Sequence, residues 1–265
     1  GLVLQWLEVE GPLLDSWPPP SYRLLVGDLP QQRVAGDSER REVVSGQPLK
    51  DAERILRAFS RRAFRRPPTE TEIGHLLDRV RKKLDEGASF ERALRVGLKA
   101  VLVSPHFLFL REQVRPVASG EATREPKRSG QLDDFSLASR ISYFLWSSMP
   151  DEELLRLAEQ SKLSQPAVLH DQVERMLKDE KAQAFTENFA GQWLGLREID
   201  ATLPDRQLYP EYDELLRASM INEVHLFFDE VLKNDLSLSN YVDSEFSFLN
   251  SRLAGKYGVP DVAGL

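Results

Sequence analysis

The sequence "SRISYFLWSSMPDEELLRLAEQSKL" (139–163) decides the fold, because two helix patterns meet within it. Apolar residues recur at helical spacing up to Leu145, which predicts a helix with one buried face. Ser147 and Ser148 are favourable caps for the next helix, and Pro150 suits its first turn. The three acidic residues after Pro150 favour the positive end of that helix, so we interpret them as helix-start residues and not as catalytic acids.

Helical patterns of the same kind occupy two longer zones of the chain. The first zone, 49–113, has apolar residues at helical spacing, and prolines, a glycine and N-cap candidates separate its segments. Thr69 or Thr71 and Ser89 are the candidates, because their hydroxyls accept hydrogen bonds from the first turn of a helix. The second zone, 131–265, begins with the helix that ends in the opening stretch. It contains four further predicted helices, at 166–178, 181–195, 211–234 and 248–257.

The composition is that of a globular chain without thiol chemistry. The 265 residues are 41% hydrophobic and 29% charged, which argues against a disordered protein. The absence of cysteine excludes thiol nucleophiles, disulfides, cysteine zinc ligands and c-type haem attachment within this sequence. No apolar run approaches the about 20 residues of a membrane helix, so no membrane span is predicted.

The net charge of −7 is distributed unevenly along the chain. Residues 1–49 carry a net charge of −3, residues 50–130 carry 19 basic and 11 acidic side chains for a net +8, and residues 131–265 carry −12. A basic segment can bind an anionic partner such as nucleic acid, or it can dock on an acidic segment. Six arginines are interleaved with apolar helix positions, which favours docking and predicts no nucleic-acid binding. They are Arg54, Arg57, Arg61, Arg62, Arg65 and Arg66.

The amino-terminal residues predict a different kind of structure. Residues 2–12 alternate between apolar and polar side chains, which predicts one β-strand. Because a single strand needs a partner, we expect it to be the last strand of a missing β-domain, and we interpret the chain as a fragment of a longer protein. Residues 13–48 contain many prolines, glycines and serines, and residues 114–130 are polar and lack periodicity. Both segments therefore predict linkers.

Together these patterns predict an all-α architecture. A remnant β-strand (1–12) and a linker (13–48) precede a small basic unit of three helices (49–113). A second linker (114–130) leads to a larger acidic helical bundle (131–265). We expect the two helical domains to pack together behind the remnant strand.

One charged pair stands out within the predicted helices. Glu223 falls in the apolar stripe of the helix at 211–234, and a buried carboxylate needs a partner or must take up a proton. Arg140 lies beside the apolar stripe of its own helix and is the most economical partner. We therefore predict a buried or half-buried ion pair between Arg140 and Glu223. A role in fixing the register of two helices is favoured over a catalytic role.

No catalytic, cofactor-binding or metal-binding motif is visible, so the sequence does not decide whether the protein is an enzyme. His106 could reach a haem or metal supplied by another domain, although a partly buried structural histidine is the favoured interpretation. His225 and Asp229 lie one helical turn apart and could form a metal site or an acid–base pair. A surface pair without catalytic function is favoured there.

Aromatic residues are the remaining candidates for a binding surface. Tyr143, Phe144, Trp146 and Trp193 could form a platform for a sugar ring. Their helical spacing beside leucine and isoleucine favours a place in the hydrophobic core instead.

Several segments, in order, resemble a family of uncharacterised multi-domain proteins expanded in planctomycetes. They include "RAFRRPPTETE", "VLVSPHFLFLRE", "ASRISYFLWSSMPDEELLRLA", "FAGQWLGL" and "FSFLNSRLAGKYGV". In that family, helical domains of unknown function accompany a cytochrome-c-like segment. The resemblance covers approximately residues 49–260. It implies a periplasmic or secreted bacterial protein linked to polysaccharide use or electron transfer, with any haem c held elsewhere in the parent protein.

The sequence and the resemblance lead to one main expectation and one alternative. The main expectation is a non-catalytic structural or interaction module of a larger extracytoplasmic, cytochrome-associated protein, whose partners are neighbouring domains of the same chain. The alternative is part of a redox or polysaccharide-acting enzyme whose site other domains complete, with a polysaccharide or a redox protein as partner. A deep pocket lined by Glu223, Arg140 or His225 would favour the alternative.

Overall fold

The structure of the protein, a computed structural model, describes most of the chain. The described residues are 6, 8, 18–34, 37–114, 131–201, 204–205 and 207–264. They belong to two compact units, unit 1 (Gly1–Arg111) and unit 2 (Glu112–Leu265). The predicted strand at 1–12 and the predicted linker at 114–130 lie outside the described residues, apart from isolated positions.

Unit 1 is mainly helical. Its helices α1 to α5 span Pro20–Val26, Pro48–Ala63, Glu70–Asp85, Phe90–Leu102 and Pro105–Leu108, and its strands β1 and β2 span Gln31–Val34 and Asp37–Val43. The two strands pair as an antiparallel hairpin, which is the only sheet in the described part of the chain. Since the rest of the regular structure described in both units is helical, the predicted all-α class is confirmed.

The segment 13–48 is not a simple linker in its described part. Val26 at the end of α1 and Val43 at the end of β2 are both buried in the core formed with α2, α3 and α4. The backbone N–H of Val43 also donates a hydrogen bond to the carboxylate of Glu91 on α4 (2.8 Å). Proline and glycine content predicted a linker here, but the burial of two valines makes the segment part of unit 1.

One hydrophobic core joins the three longer helices of unit 1. Its buried side chains from these helices include Ile55, Leu56, Ile73, Leu76, Val80, Leu94 and Val101. Gly97 allows α4 to approach the other two helices closely, because an added Cβ would lie 3.0 Å from methyl groups of both Leu56 and Val80. Larger residues at this position would therefore displace core side chains.

The helix starts of unit 1 follow the predicted capping chemistry. The Thr69 hydroxyl accepts a hydrogen bond from the N–H of Glu72, and the Glu72 carboxylate accepts one from the N–H of Thr69 (2.7 Å). Ser89 caps α4 in the same way through its hydroxyl. The N-cap predictions at Thr69 and Ser89 are confirmed, and the reciprocal bonds hold Glu72 in the first turn of α3.

Arg65 lies just beyond the end of α2 and is only 6% exposed. Its backbone has φ +59°, a left-handed conformation that costs a residue with a side chain about 1 kcal/mol. Its guanidinium donates hydrogen bonds to the carbonyls of His106 (2.8 Å), Phe109 (3.1 Å) and Phe107 (3.3 Å). Because these carbonyls lie in and directly after α5, one buried cation holds the end of unit 1 against α2.

Replacing Arg65 by methionine should lower the free energy of unfolding by about 3 kcal/mol, because carbonyls that accept from a charged donor would lose it. The matched change Arg62→Met, at an exposed position of α2, should cost less than about 0.5 kcal/mol. Urea denaturation of the full chain, with hydrogen exchange of α2 and α5, measures both effects. Equal losses in the two variants would contradict the special role of Arg65.

Unit 2 contains six α-helices among its described residues. Helices α6 to α11 span Asp134–Trp146, Glu152–Glu159, Pro166–Leu177, Gln183–Trp193, Glu214–Lys233 and Ser251–Tyr257, with short 3-10 helices at Glu180–Ala182, Leu196–Glu198 and Leu238–Tyr241. The four further helices predicted from the apolar spacing correspond to α8, α9, α10 and α11, and their boundaries agree within a few residues.

The junction of α6 and α7 differs from the sequence prediction at its caps. Ser147 ends α6 in the left-handed conformation, and neither Ser147 nor Ser148 caps α7. Asp151 is the N-cap instead, and its carboxylate accepts a hydrogen bond from the N–H of Leu154 (3.0 Å). Pro150 precedes this cap rather than entering the first turn. The serine prediction was wrong because a carboxylate at the positive end of a helix is the more favourable acceptor, whereas the acidic helix start is confirmed.

Two buried polar contacts connect α6 to the rest of unit 2. Trp146 is 3% exposed, and its indole N–H donates a hydrogen bond to the carbonyl of Met176 on α8 (2.9 Å). The buried carboxylate of Asp134 accepts a hydrogen bond from the N–H of Leu163, between α7 and α8 (3.0 Å). Both contacts satisfy polar groups that burial has removed from water.

The change Trp146→Phe should lower the free energy of unfolding by about 2 kcal/mol, because the Met176 carbonyl would lose its donor and the smaller ring would leave space. Trp193→Phe is the matched control, since Trp193 is 54% exposed and the same change there should cost less than about 0.5 kcal/mol. Chemical denaturation of both variants measures the difference. A larger loss for Trp193→Phe would refute this description of the core.

Candidate functional site

A surface cavity of about 520 Å³ opens beside His106 in unit 1. His106 lies in α5, which begins after Ser104 caps its first turn. The imidazole Nε2 is 3.1 Å from the Glu72 carboxylate, and the ring centroid is 5.4 Å from that of Phe64. The bond from Arg65 to the His106 carbonyl fixes the backbone of this residue. Helices α2, α3 and α5 therefore meet at His106.

The Glu72 carboxylate is the most strongly held acidic group around this cavity. Arg66 donates two hydrogen bonds to it (2.7 and 3.0 Å), in addition to the bond from the N–H of Thr69. The Arg66 guanidinium is the main reason why the pKa of Glu72 falls to about 2, although burial acts in the opposite direction. A carboxylate with this pKa stays ionised at neutral pH and is a poor general base, since such a base works best with a pKa near the working pH.

The opposite part of the cavity is basic at its rim and apolar at its floor. His75 and Arg79 of α3 and Lys99 of α4 line it, and all three are exposed. Phe64 and Leu76 contribute buried apolar surface. These residues were not among the candidates predicted from the sequence, although the spacing of His75 and Arg79 by one helical turn was a visible signal.

The arginine cluster predicted to dock on an acidic segment finds partners inside unit 1. Arg57 forms ion pairs with Glu53 (2.7 Å) and Glu70 (2.5 Å), and Arg66 pairs with Glu72. Arg65 is buried on backbone carbonyls. Much of the basic surface expected from this cluster is therefore neutralised within the unit itself.

The predicted ion pair between Arg140 and Glu223 is not formed. Arg140 binds Glu112 through two hydrogen bonds (2.6 and 2.8 Å), and its side chain is 58% exposed. Glu223 instead accepts hydrogen bonds from the hydroxyls of Ser247 (2.7 Å) and Tyr257 (3.0 Å). The prediction was wrong because the spacing on α10 cannot reveal which segment of the chain covers Glu223.

His225 and Asp229 lie on α10 but make different contacts. His225 lines a second open cavity, of about 490 Å³, together with polar side chains that include Asn222 and Asn250. Asp229 accepts hydrogen bonds from Thr186 and from Lys233 (2.8 Å) and does not line that cavity. No hydrogen bond or ion pair joins the described side chains of His225 and Asp229, because Asp229 is already bound on both sides.

The predicted aromatic residues differ in exposure, and Tyr143 is half-buried. Trp146 is buried, as the core interpretation requires, but Phe144 and Trp193 are 57% and 54% exposed. Phe144 lies near the end of α6, and Trp193 is the last residue of α9. Both belong to a series of contacting rings that we call the aromatic row. The row consists of Phe144, Phe185, Phe189, Trp193 and Tyr241, with successive ring centroids 5.1, 5.2, 5.9 and 5.5 Å apart. Spacing by four residues along α9 was the sequence signal for three of these rings.

The described residues contain no group of three or more histidine, cysteine, aspartate or glutamate side chains placed to hold a metal ion. None of the helices in the described part of the chain is both long and apolar enough to cross a membrane.

The fold and its open cavities define a helical protein module made of two units. Residues 51–112 match the family model PSD5, described as a protein of unknown function (DUF1595). Residues 132–259 match the family model PSD4, described as a protein of unknown function (DUF1592). No curated protein and no solved structure matches the chain. The expectation of helical domains of unknown function is confirmed at this level.

The stability supplied by Glu72 should depend on pH in a defined direction. Because folding lowers the pKa of Glu72 from 4.5 to about 2, its contribution is present above pH 4.5 and is lost as the pH falls towards 2. Glu72→Gln should therefore lower the free energy of unfolding at pH 7 on the order of 2 kcal/mol, and the difference from the wild type should shrink below pH 4.5.

Urea denaturation between pH 2 and pH 7 tests this prediction on the full chain. Glu86→Gln, at an exposed position directly after α3, makes the same chemical change and should have a much smaller effect. A difference between Glu72→Gln and the wild type that is independent of pH would contradict the role of the Glu72 charge.

Proposed function

We propose that the chain is a non-catalytic interaction module of a larger extracytoplasmic, cytochrome-associated protein, and that its partners are neighbouring domains of the same parent chain. The observation that carries this proposal is the aromatic row of unit 2, in which Phe144 and Trp193 are more than half exposed. Large aromatic side chains at a surface supply contact area for another protein at a low cost in side-chain entropy.

The contacts along the aromatic row support binding to a folded partner. Phe185 and Phe189 stack with an interplanar angle of 25°, and Trp193 meets Tyr241 edge to face at 83°. Each ring is held by at least one other ring, so its orientation is set before a partner arrives. A pre-ordered surface loses less conformational entropy on association than a flexible one.

The state of the carboxylates supports a role without catalysis. Glu72 is bound by Arg66 and by the N–H of Thr69, Glu223 by two hydroxyls, and Asp229 by Thr186 and Lys233. Catalytic acids and bases need a free position for the substrate. These three side chains instead hold neighbouring elements together.

The location and the cytochrome association rest on the family resemblance. A chain without cysteine cannot attach haem c through thioether bonds, so in this proposal the haem belongs to another domain of the parent protein. A periplasmic or secreted location agrees with such an arrangement. The aromatic row is then a surface on which a neighbouring domain rests.

The alternative function is a part of a redox or polysaccharide-acting enzyme that other domains complete. One observation favours it, namely the cavity of about 490 Å³ that His225 lines. This volume falls within the range of small-molecule sites. Arg217 and Arg252 also line the cavity, but each is paired with an acidic residue, Asp200 or Glu214 for Arg217 and Asp213 for Arg252.

The test compares intact parent protein with the double variant Phe144→Ala and Trp193→Ala. We expect faster hydrogen exchange in a neighbouring domain, because the docking surface is lost, while the haem spectrum and the binding of a panel of polysaccharides stay unchanged. Leu238→Ala is the matched control, since Leu238 is 75% exposed in unit 2 and outside the aromatic row.

Two results would count against the proposed docking. Hydrogen exchange that is the same in the double variant and the wild type would show that the aromatic row contacts no neighbouring domain. Loss of polysaccharide binding or a changed haem spectrum after His225→Gln, in protein that remains folded, would support the enzyme alternative instead.

A further inference from the structure

We propose that the cavity beside His106 in unit 1 binds an organic anion, in which a carboxylate or sulfate group is attached to an apolar body about the size of one or two rings. This site is independent of the docking surface in unit 2. The proposal rests on the charges at the rim of the cavity, on its apolar floor and on the way its walls are held.

The rim of the cavity carries positive charge that no acidic side chain among the described residues neutralises. Arg79 and Lys99 line the cavity, and within the described part of the chain neither of them has an ion-pair partner. The one carboxylate in the lining, Glu72, already accepts two hydrogen bonds from Arg66. Since the charge of Glu72 is offset by Arg66, the two remaining cations face the cavity with an unbalanced charge, which attracts an anion.

His75 adds a hydrogen-bonding group to these two cations. It lies one turn before Arg79 on α3 and lines the cavity, and Lys99 lines it from α4. An oxyanion with several acceptor oxygens can therefore receive hydrogen bonds from groups on two helices, which gives a directed contact and not only a diffuse attraction.

The apolar floor of the cavity favours a ligand in which the charged group is attached to an apolar body. Phe64 and Leu76 are buried in the core and line the cavity, and Val96 and Ala100 add aliphatic surface from α4. A bare inorganic anion would leave this surface in contact with water. A volume of about 520 Å³ accommodates a small organic molecule and falls within the usual range for ligand sites.

The walls are held in place before any ligand arrives. Helices α3 and α4 pack through the core of unit 1. Gly97 of α4 permits close contact with α2 and α3. Arg65 holds the carbonyls of α5, and the capping box fixes the first turn of α3. A cavity between rigid helices gives a ligand a preformed site and limits the entropy lost on binding.

Naphthalene-1-sulfonate is a suitable probe, because it joins one sulfonate to a two-ring apolar body. Isothermal titration calorimetry with the full chain should give a Kd below about 1 mM, the value expected for a ligand of this size with ordinary efficiency. The neutral analogue 1-naphthalenemethanol and sodium sulfate alone should each bind at least about fivefold more weakly, because each lacks one of the two features that the cavity recognises.

Two single-site variants and a matched control locate the site. Arg79→Gln and Lys99→Gln should each weaken naphthalene-1-sulfonate binding about threefold, and the double variant about tenfold, with a smaller dependence on salt. Lys82→Gln removes the same charge from an exposed position of α3 outside the cavity lining and should leave the Kd within about twofold. Circular dichroism checks that these surface variants remain folded.

Several outcomes would overturn the proposal. Absence of binding up to about 10 mM probe would exclude a ligand site of ordinary efficiency. Equal affinity for the neutral analogue would remove the role of the cations, and equal affinity for sodium sulfate would remove the role of the apolar floor. An equal loss in Lys82→Gln would mean that the net charge of unit 1, and not this cavity, attracts the anion.

Discussion

The buried guanidinium of Arg65 is the contact on which the organisation of unit 1 depends. It occupies a left-handed backbone position at the end of α2 and binds three carbonyls in and after α5. Without these acceptors a buried cation would be costly, and without the cation the carbonyls would lack a donor. This mutual requirement holds α5 in place and brings His106 within reach of Glu72 on α3. The cavity beside His106 has charged residues at its rim and side chains of the unit 1 core at its floor.

Two tryptophans of unit 2 lie in different environments. Trp146 points into the core, where its N–H has a carbonyl partner and where Arg175 and Lys181 lie near its ring (5.5 and 4.4 Å to the centroid). Trp193 lies at the surface as a member of the aromatic row. One residue type therefore stabilises the core at one position and remains exposed at another. The distinction between the two depends on which element covers each ring.

Several carboxylates of the described residues are engaged by groups on neighbouring elements. Glu223, which the sequence spacing placed in an apolar stripe, accepts hydrogen bonds from two hydroxyls, and Glu72 is held by Arg66 and by the N–H of Thr69. Such contacts stabilise an arrangement of helices. The aromatic row of unit 2 and the basic rim of the cavity in unit 1 are exposed surfaces of the described residues, and the two proposed binding roles rest on them.

The amino-acid sequence by itself determined the helical class, the order of the longer helices and the cap at Ser89, and it limited the cap of α3 to Thr69 or Thr71, because periodicity and capping act between residues a few positions apart. Only the tertiary structure decided that Val26 and Val43 belong to the core of unit 1, and that Arg140 and Glu223 have different partners. It also decided which aromatic rings remain exposed. These outcomes depend on contacts between residues far apart in the chain, and the spacing along one helix defines a face without identifying what covers it.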